Sequence, residues 1–255
     1  MTRLPVIGLI PAAGQASRLG PIPCSKELLP TGYRQSPEGP VQQVACRHLL
    51  GAFHRAGITQ AVFVLRDGKL DIPEHLTRHL DLEIALAYVP ILSSRSVPES
   101  LDRAYPFVRH GLVALGFPDV VFEPADAFRR LLECQAQTEA DVVLGLFPWK
   151  DPSMTDMVAV GKDGRMERIE VRPKTSDLEH NWLLALWGPR FTEFLHGALK
   201  ATPAEEGELQ LGTLFAGAHG RGLDIRGVEL DDGRFLDLGT PEGYTSMLRG
   251  EFAPS

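Results

Sequence analysis

The stretch VIGLIPAAGQASRLGPIPCSKELLP, Val6 to Pro30, runs from an apolar, partly β-branched segment straight into a loop of small residues carrying one arginine and one lysine. Val6 to Ile10 reads as a buried strand: it is too short for a membrane span or a signal-peptide core, and Pro11 and Gly14 end it. Beyond it, Ala12, Ala13 and Gly14 let a backbone come close to a ligand and let its N–H groups converge, with Arg18 and Lys26 as isolated cations beside them. Such a combination suits an anion, phosphate first of all. In open α/β sheets ligands sit outside the carboxyl ends of the strands, which is where this loop falls.

The rest of the chain carries the alternation that such a fold requires. Apolar runs at Ala61 to Leu65, Glu83 to Val89, Gly111 to Leu115 and Asp141 to Phe147 read as further strands. Val41 to Ala56, Pro98 to Arg109 and Ala125 to Thr138 have amphipathic, helix-like spacing between them. This is the βαβ rhythm of a Rossmann-like α/β fold, a mostly parallel sheet flanked by helices. After Asp151 the rhythm changes. Met157 to Val160, Asp163-Gly164 and Met166 to Val171 read as a hairpin. Helices follow at Pro189 to Leu199 and Glu208 to Gly217, strands at Leu223 to Leu230 and Phe235 to Leu238, and a closing helix at Pro241 to Arg249 with proline in its first turn. This half is expected to continue the sheet and to add a β-rich, lid-like substrate region. No linker-like stretch divides residues 1–150 from 151–255, so residues 1–255 read as one domain.

Composition removes several classes. With 255 residues, 44% hydrophobic and 23% charged, the chain is ordinary globular protein able to bury a full core. A formal net charge of -7 gives no attraction to nucleic acid or to an anionic membrane, so a phosphate site must be local. The cysteines Cys24, Cys46 and Cys134 have no paired spacing, which points to a reducing, cytoplasmic setting without disulfides or a zinc site. His75 and His79 stand at i, i+4, but with no glutamate in a metal-binding pattern they read as a solvated helix face. Whether the chain forms a homo-oligomer is left open.

The common phosphate loops do not fit. Gly14 is followed by Ala16 and Leu19 where a dinucleotide fingerprint has glycines, and Lys26 is followed by Glu27 where a P-loop has serine or threonine. Instead, Ala12-Ala13-Gly14, Ser17-Arg18-Leu19, Pro21, Lys26 and Leu28-Leu29-Pro30 resemble, in register, the signature of the sugar-1-phosphate nucleotidyltransferases. Ser25 to Pro30 looks like the thymidylyltransferase branch of that family. Further segments resemble the family in order: Gly39-Pro40-Val41 with Ala56-Gly57-Ile58, Leu115 to Asp119, Arg172-Pro173, Asn181-Trp182, and Phe235 to Pro241.

The resemblance implies a nucleotide-diphospho-sugar transferase fold with a nucleotide-binding half, 1–150, and a sugar-phosphate-binding half, 151–255. It implies transfer of a nucleotidyl group from a nucleoside triphosphate to a sugar 1-phosphate, with Mg²⁺ and release of pyrophosphate, and a lean toward dTTP or another pyrimidine. Arg18 and Lys26 are then the catalytic cations. Ala13, Gly14, Gln15, Ser17 and Ser100 belong to the nucleotide, Arg172, Lys174, Asn181 and Thr240 to the sugar phosphate, and Asp119 and Asp237 to the metal.

Departures from the pattern keep other readings open. Ala16 replaces the second loop glycine, which is tolerable if the residue keeps φ negative. Ser100 stands for a glycine and Asp102-Arg103 for Ala-Gln in a segment that borders the base in the family. Val171 stands where the family has glutamate, and Ala185 where a pocket glycine is usual. A nucleotide-sugar-binding or regulatory protein without turnover, or transfer to a phosphorylated acceptor other than a sugar, therefore stands beside the enzyme reading. Taken singly, Asp119 also reads as a turn after a strand, Gly239-Thr240-Pro241 as a helix start, and Trp182 as a core aromatic.

Overall fold

The computed structural model describes residues 4–37, 39–202 and 209–252. In chain order the strands are β1 (Val6–Ala12), β2 (Pro30–Ser36), β3 (Gly39–Val44), β4 (Gln60–Arg66), β5 (Ala85–Ile91), β6 (Leu112–Leu115), β7 (Val120–Glu123), β8 (Val142–Pro148), β9 (Met157–Val160), β10 (Met166–Glu170), β11 (His180–Trp187), β12 (Ile225–Glu229) and β13 (Arg234–Asp237). The helices are α1 (Ala45–Arg55), α2 (Asp71–His79), α3 (Val97–Asp102), α4 (Tyr105–Val108), α5 (Ala127–Thr138), α6 (Pro189–Ala201), α7 (Leu211–Gly220) and α8 (Pro241–Leu248).

Among the described residues nine strands form one sheet, with the path β10-β9-β11-β6-β1-β4-β5 and with β8 pairing β11 and β12. β1, β4, β5 and β6 are mutually parallel, and β11 runs against β6, β8 and β9. β1, β4, β5, β6, β8, β9 and β12 therefore run one way, and β10 and β11 the other. The sheet is central and mostly parallel; β9 to β12 extend it as expected, whereas β13 pairs with β7 in a separate two-stranded sheet.

Period-two alternation in β1 distributes side chains to both faces. Ile10 and Ala12 join Leu49, Phe53, Phe63 and Phe128 on one side, where α1, α2 and α5 pack. Ile7 and Leu9 join Trp187, Phe191, Leu214 and Phe215 on the other, where α3, α6 and α7 pack. A strand covered on both faces must be apolar throughout, which is why β1 reads as an unbroken apolar run.

Two expectations are corrected. Val41 to Val44 is not the start of a helix: Gly39–Val44 is the strand β3, antiparallel to β2, and the helix begins at Ala45. The alternation of half-buried and exposed residues across Pro40 to Val44, with β-branched Val41 and Val44, is a strand pattern that runs into helical spacing without a break. The helix placed at Glu208 to Gly217 is observed from Leu211 to Gly220, and Glu208 lies outside the described residues. Sequence gives no expectation for β7, β2 or β11, and of α2 it gives only the helix face of His75 and His79.

Candidate active site

Asp119 stands between β6 and β7, and β13 brings Asp237 to it. β13 pairs antiparallel with β7 so that Asp237 lies opposite Val120, the residue after Asp119. Leu238 N–H then donates to Asp119 O at 2.8 Å. The two carboxylates meet across Gly239: a β-carbon there would lie 2.7 Å from Asp119 Oδ2, 2.9 Å from Asp237 Oδ1 and 3.3 Å from Arg18 Nη2. Gly239 itself donates N–H to Asp237 Oδ1 at 2.8 Å. Burial raises the Asp237 carboxyl above its ordinary range and Asp119 adds to this, with Arg18, the Gly239 N–H and Lys26 pulling the other way.

Both sequence-predicted cations reach this pair. Lys26 Nζ bonds Asp119 Oδ2, and Arg18 Nη2 lies 3.1 Å from Asp237 Oδ2. Burial works against the charge on Lys26, but Asp119, Glu27 and Asp237 outweigh it and hold its pKa above the ordinary value. The Lys26 segment is fastened from below by two residues of the β4–α2 region. Asp71 accepts from Ser25 N–H and from Ser25 Oγ, each at 2.7 Å. Lys69 donates to both oxygens of the fully buried Glu27 at 2.7 and 2.9 Å.

Gly14 completes the cluster, since a β-carbon on it would stand 3.7 Å from Lys26 Nζ. Ala13 is buried at the end of β1, while Gln15 and Ser17 are exposed. Ala16 is left-handed, at φ 56 and ψ 27, and its carbonyl accepts from Leu19 N–H at 3.0 Å to start a short 3₁₀ turn. The expectation of negative φ at Ala16 is thus overturned: the turn that swings Arg18 back to Asp237 begins in the left-handed region, where the alanine methyl costs about 1–2 kcal/mol.

The remaining predicted residues divide. Ser100 is buried and spends its hydroxyl on Val97 O in its own helix, at 2.8 Å. Thr240 caps α8, accepting from Gly243 N–H at 3.1 Å and donating to Asp237 O at 2.9 Å, so its side chain braces Asp237. Lys174 and Arg172 are exposed, and Arg172 has φ 42. Arg172, Asn181 and Trp182 gather around Thr155-Asp156: Arg172 N–H donates to Asp156 Oδ1 at 3.2 Å, Trp182 Nε1 to Asp156 Oδ2 at 3.0 Å, and Asn181 Nδ2 to Thr155 Oγ1 at 3.1 Å. Among the described residues Asn181 Oδ1 is buried without a partner. Trp182 is a core aromatic, edge-on to Phe215 and 6.2 Å from Phe117, which stands two residues before Asp119.

Sequence reading missed Asp156, the Glu27–Lys69 pair and Asp71, because each acts through partners distant in the chain. It also missed Arg66, whose guanidinium the Gln15 amide meets, its oxygen accepting once the amide is set to satisfy its neighbours. His75 and His79 lie with ring centroids 4.9 Å apart, and among the described residues no group of three potential metal ligands forms. Two carboxylates brought together in this way suit a hard cation held jointly with substrate oxygens, as Mg²⁺ is. No helix of the described residues is long and apolar enough to cross a membrane.

This arrangement gathers two cations and two carboxylates at the carboxyl ends of β1 and β6 in a mostly parallel α/β sheet. The same fold is found in a Bacillus anthracis protein described as a glucose-1-phosphate thymidylyltransferase, solved in complex with sucrose: TM-score 0.81, 19% identity, 98% of this chain and 97% of that one. It is found also in a UTP-bound UDP-glucose pyrophosphorylase (UGPase) from Acinetobacter baumannii, with TM-score 0.78, 15% identity, 97% of this chain and 93% of that one. A UDP-glucose pyrophosphorylase complexed with UDP-glucose has TM-score 0.80, 14% identity, 97% of this chain and 98% of that one. No protein-family model matches the sequence, and none of the curated proteins matches it.

Proposed function

We propose that the protein transfers a nucleotidyl group from a nucleoside triphosphate to a sugar 1-phosphate, forming a nucleoside-diphosphate sugar and pyrophosphate. The observation that carries this is the convergence of Lys26, Arg18, Asp119 and Asp237 about Gly239, beside the Gly14 loop. In the reaction an oxygen of the sugar phosphate bonds to the α-phosphorus, the bond from that phosphorus to the bridging oxygen breaks, and pyrophosphate leaves in line. Two anions must approach, and at ~4 Å unit charges repel by roughly 4 kcal/mol at an effective dielectric of 20. The chain answers with cations. Lys26, a compact ammonium, neutralises the reacting phosphate, and Arg18, with its planar fork, takes the charge that builds on the leaving pyrophosphate. The Gly14 backbone receives phosphate oxygens. Arg172 and Lys174 offer cations to the sugar phosphate, and Asn181 Oδ1, without a partner among the described residues, offers an acceptor.

Asp119 and Asp237 are the residues that hold Mg²⁺. When bound, it neutralises phosphate charge that the two carboxylates alone would repel. The base is read as a pyrimidine, and the setting as cytoplasmic.

A pyrophosphate-release screen of UTP, dTTP, CTP, GTP and ATP against a panel of sugar phosphates, with and without Mg²⁺, tests this reading. The expected result is Mg²⁺-dependent release with one pair far above the rest. Left-handed Ala16 favours a second reading, a nucleotide-sugar-binding protein without turnover. Tight nucleotide-sugar binding with no release under any combination would establish that one instead.

A further inference from the structure

Arg66 is the last residue of β4, beside the loop. The β1–β4 register pairs Ala12 with Leu65, so Arg66 follows one step beyond and flanks Ala13 to Gln15. On its other side it pairs with Ile91 at the end of β5. With its amide turned so that the oxygen faces Arg66, Gln15 accepts from Nη1 at 2.8 Å and from Nη2 at 2.9 Å. Arg18 and Lys26 each meet a carboxylate, whereas among the described residues no carboxylate pairs with the half-buried Arg66. One proton of each terminal nitrogen and the Nε proton remain for a ligand, and arginine offers donors only.

The sheet order β6-β1-β4-β5 puts Asp119, with Asp237 beside it, past the end of β6 and Arg66 at the end of β4, and the charged ends of Lys26 and Arg18 meet the two carboxylates. A triphosphate whose reacting phosphorus and leaving pyrophosphate lie on the β6 side carries its nucleoside across Gly14 toward β4. We infer that Arg66, oriented by Gln15, contacts a carbonyl oxygen of the nucleobase and sets the protein against adenine. Uracil, thymine, cytosine and guanine all carry a carbonyl, and adenine carries none. This rests on the nucleotidyltransferase reading for the nucleotide's direction in the site.

The experiment is calorimetric titration of the wild type and Arg66→Ala with UTP, dTTP, CTP, GTP and ATP in the presence of Mg²⁺, alongside pyrophosphate release. The expected result is a loss of about tenfold to a hundredfold in affinity for the best-bound carbonyl-bearing triphosphate, with ATP changed less than about twofold. An equal loss for all five, which a phosphate grip would give, overturns the inference, and so does no loss for any. If Arg66→Ala does not fold, Arg66→Gln leaves an amide facing Gln15 and is titrated in its place. Wild type that discriminates by Arg66 but releases no pyrophosphate overturns the transferase reading and leaves this one standing. Wild type that binds none of the five overturns both.

Discussion

Lys26 Nζ hydrogen-bonds Asp119 Oδ2 across 93 positions of sequence and so fixes the Gly14–Lys26 loop near the end of β6. Both side chains are largely buried, at 15% and 8% exposure, so neither charge is satisfied by water. Replacing Lys26 by Met keeps the apolar stem and removes the ammonium. Breaking a buried pair from one side is expected to cost roughly 3 kcal/mol in urea unfolding. Pyrophosphate release should fall by about 10²–10³, the range for loss of one group that meets developing charge. Turnover within twofold of wild type would remove Lys26 from the chemistry.

Gly239 gives a separate handle on the carboxylates. A methyl there meets Asp119 Oδ2 at 2.7 Å and Asp237 Oδ1 at 2.9 Å, closer than carbon and oxygen tolerate. Gly239→Ala is expected to push the pair apart, lowering the rate at least about tenfold and raising the Mg²⁺ concentration needed for half-maximal rate, on the logic that small displacements in a preorganised site are costly. A normal Mg²⁺ titration in a folded Gly239→Ala protein would show that the carboxylates do not act together.

Ala16 tests the loop itself. At φ 56 its methyl is strained, and glycine has no such penalty. Ala16→Gly is expected to raise unfolding free energy by about 0.5–1 kcal/mol and to leave pyrophosphate release at least as high as before. A destabilised glycine variant would show that the left-handed turn is not what holds Arg18 near Asp237.

The part of this architecture legible in sequence is the part that short-range chemistry determines. β1 is an unbroken apolar run because both faces are covered, and the Asp163-Gly164 turn with its β9–β10 hairpin follows from local preferences alone. Arg18, Lys26, Asp119 and Asp237 could be named from motif order. Their pairing could not, because it depends on β13 lying against β7. Asp71 and Lys69 carry no motif, and their tasks, holding Ser25 and Glu27, exist only once α2 is seated. The resemblance assigns Ser100 and Thr240 to ligands, but sequence gives a hydroxyl without its direction, and in the fold both donate to backbone carbonyls.

His48 makes folding sensitive to acid. Its Nε2 lies 3.0 Å from Phe122 N and 2.9 Å from Phe122 O, and burial, with help from Arg55, pushes its pKa down to about 4. An unfolded histidine titrates near 6.5. Between those values the unfolded chain takes up a proton that the folded chain refuses, so stability falls as pH drops from about 6.5 toward 4. The full window is worth at most about 3 kcal/mol. Urea midpoints of wild type and His48→Gln at pH 7, 5.5 and 4.5 measure this, and the glutamine variant should show the flatter profile. Parallel profiles would assign the acid sensitivity elsewhere.

Asp156 gathers the residues proposed for the acceptor, Arg172 and Asn181, away from the Lys26–Asp119 pair. It is 8% exposed and accepts from Trp182 Nε1, from Arg172 N–H and from the Gly212 backbone. It thereby ties β11, the segment after β10 and the first turn of α7 to one carboxylate. Burial outweighs these donors and raises its pKa, so the ion is costly to bury and depends on all of them. Asp156→Ala leaves several buried donors unpaired and is expected to cost roughly 3 kcal/mol. Arg172, at φ 42, loses the bond that holds its backbone. Because Arg172 and Asn181 stand on the same side while Lys26 and Arg18 are fastened through Asp71, Lys69 and Asp237, the KM for the sugar phosphate should rise several-fold and the KM for the triphosphate should not. Equal rises in both would mean that Asp156 supports the whole sheet rather than the acceptor side.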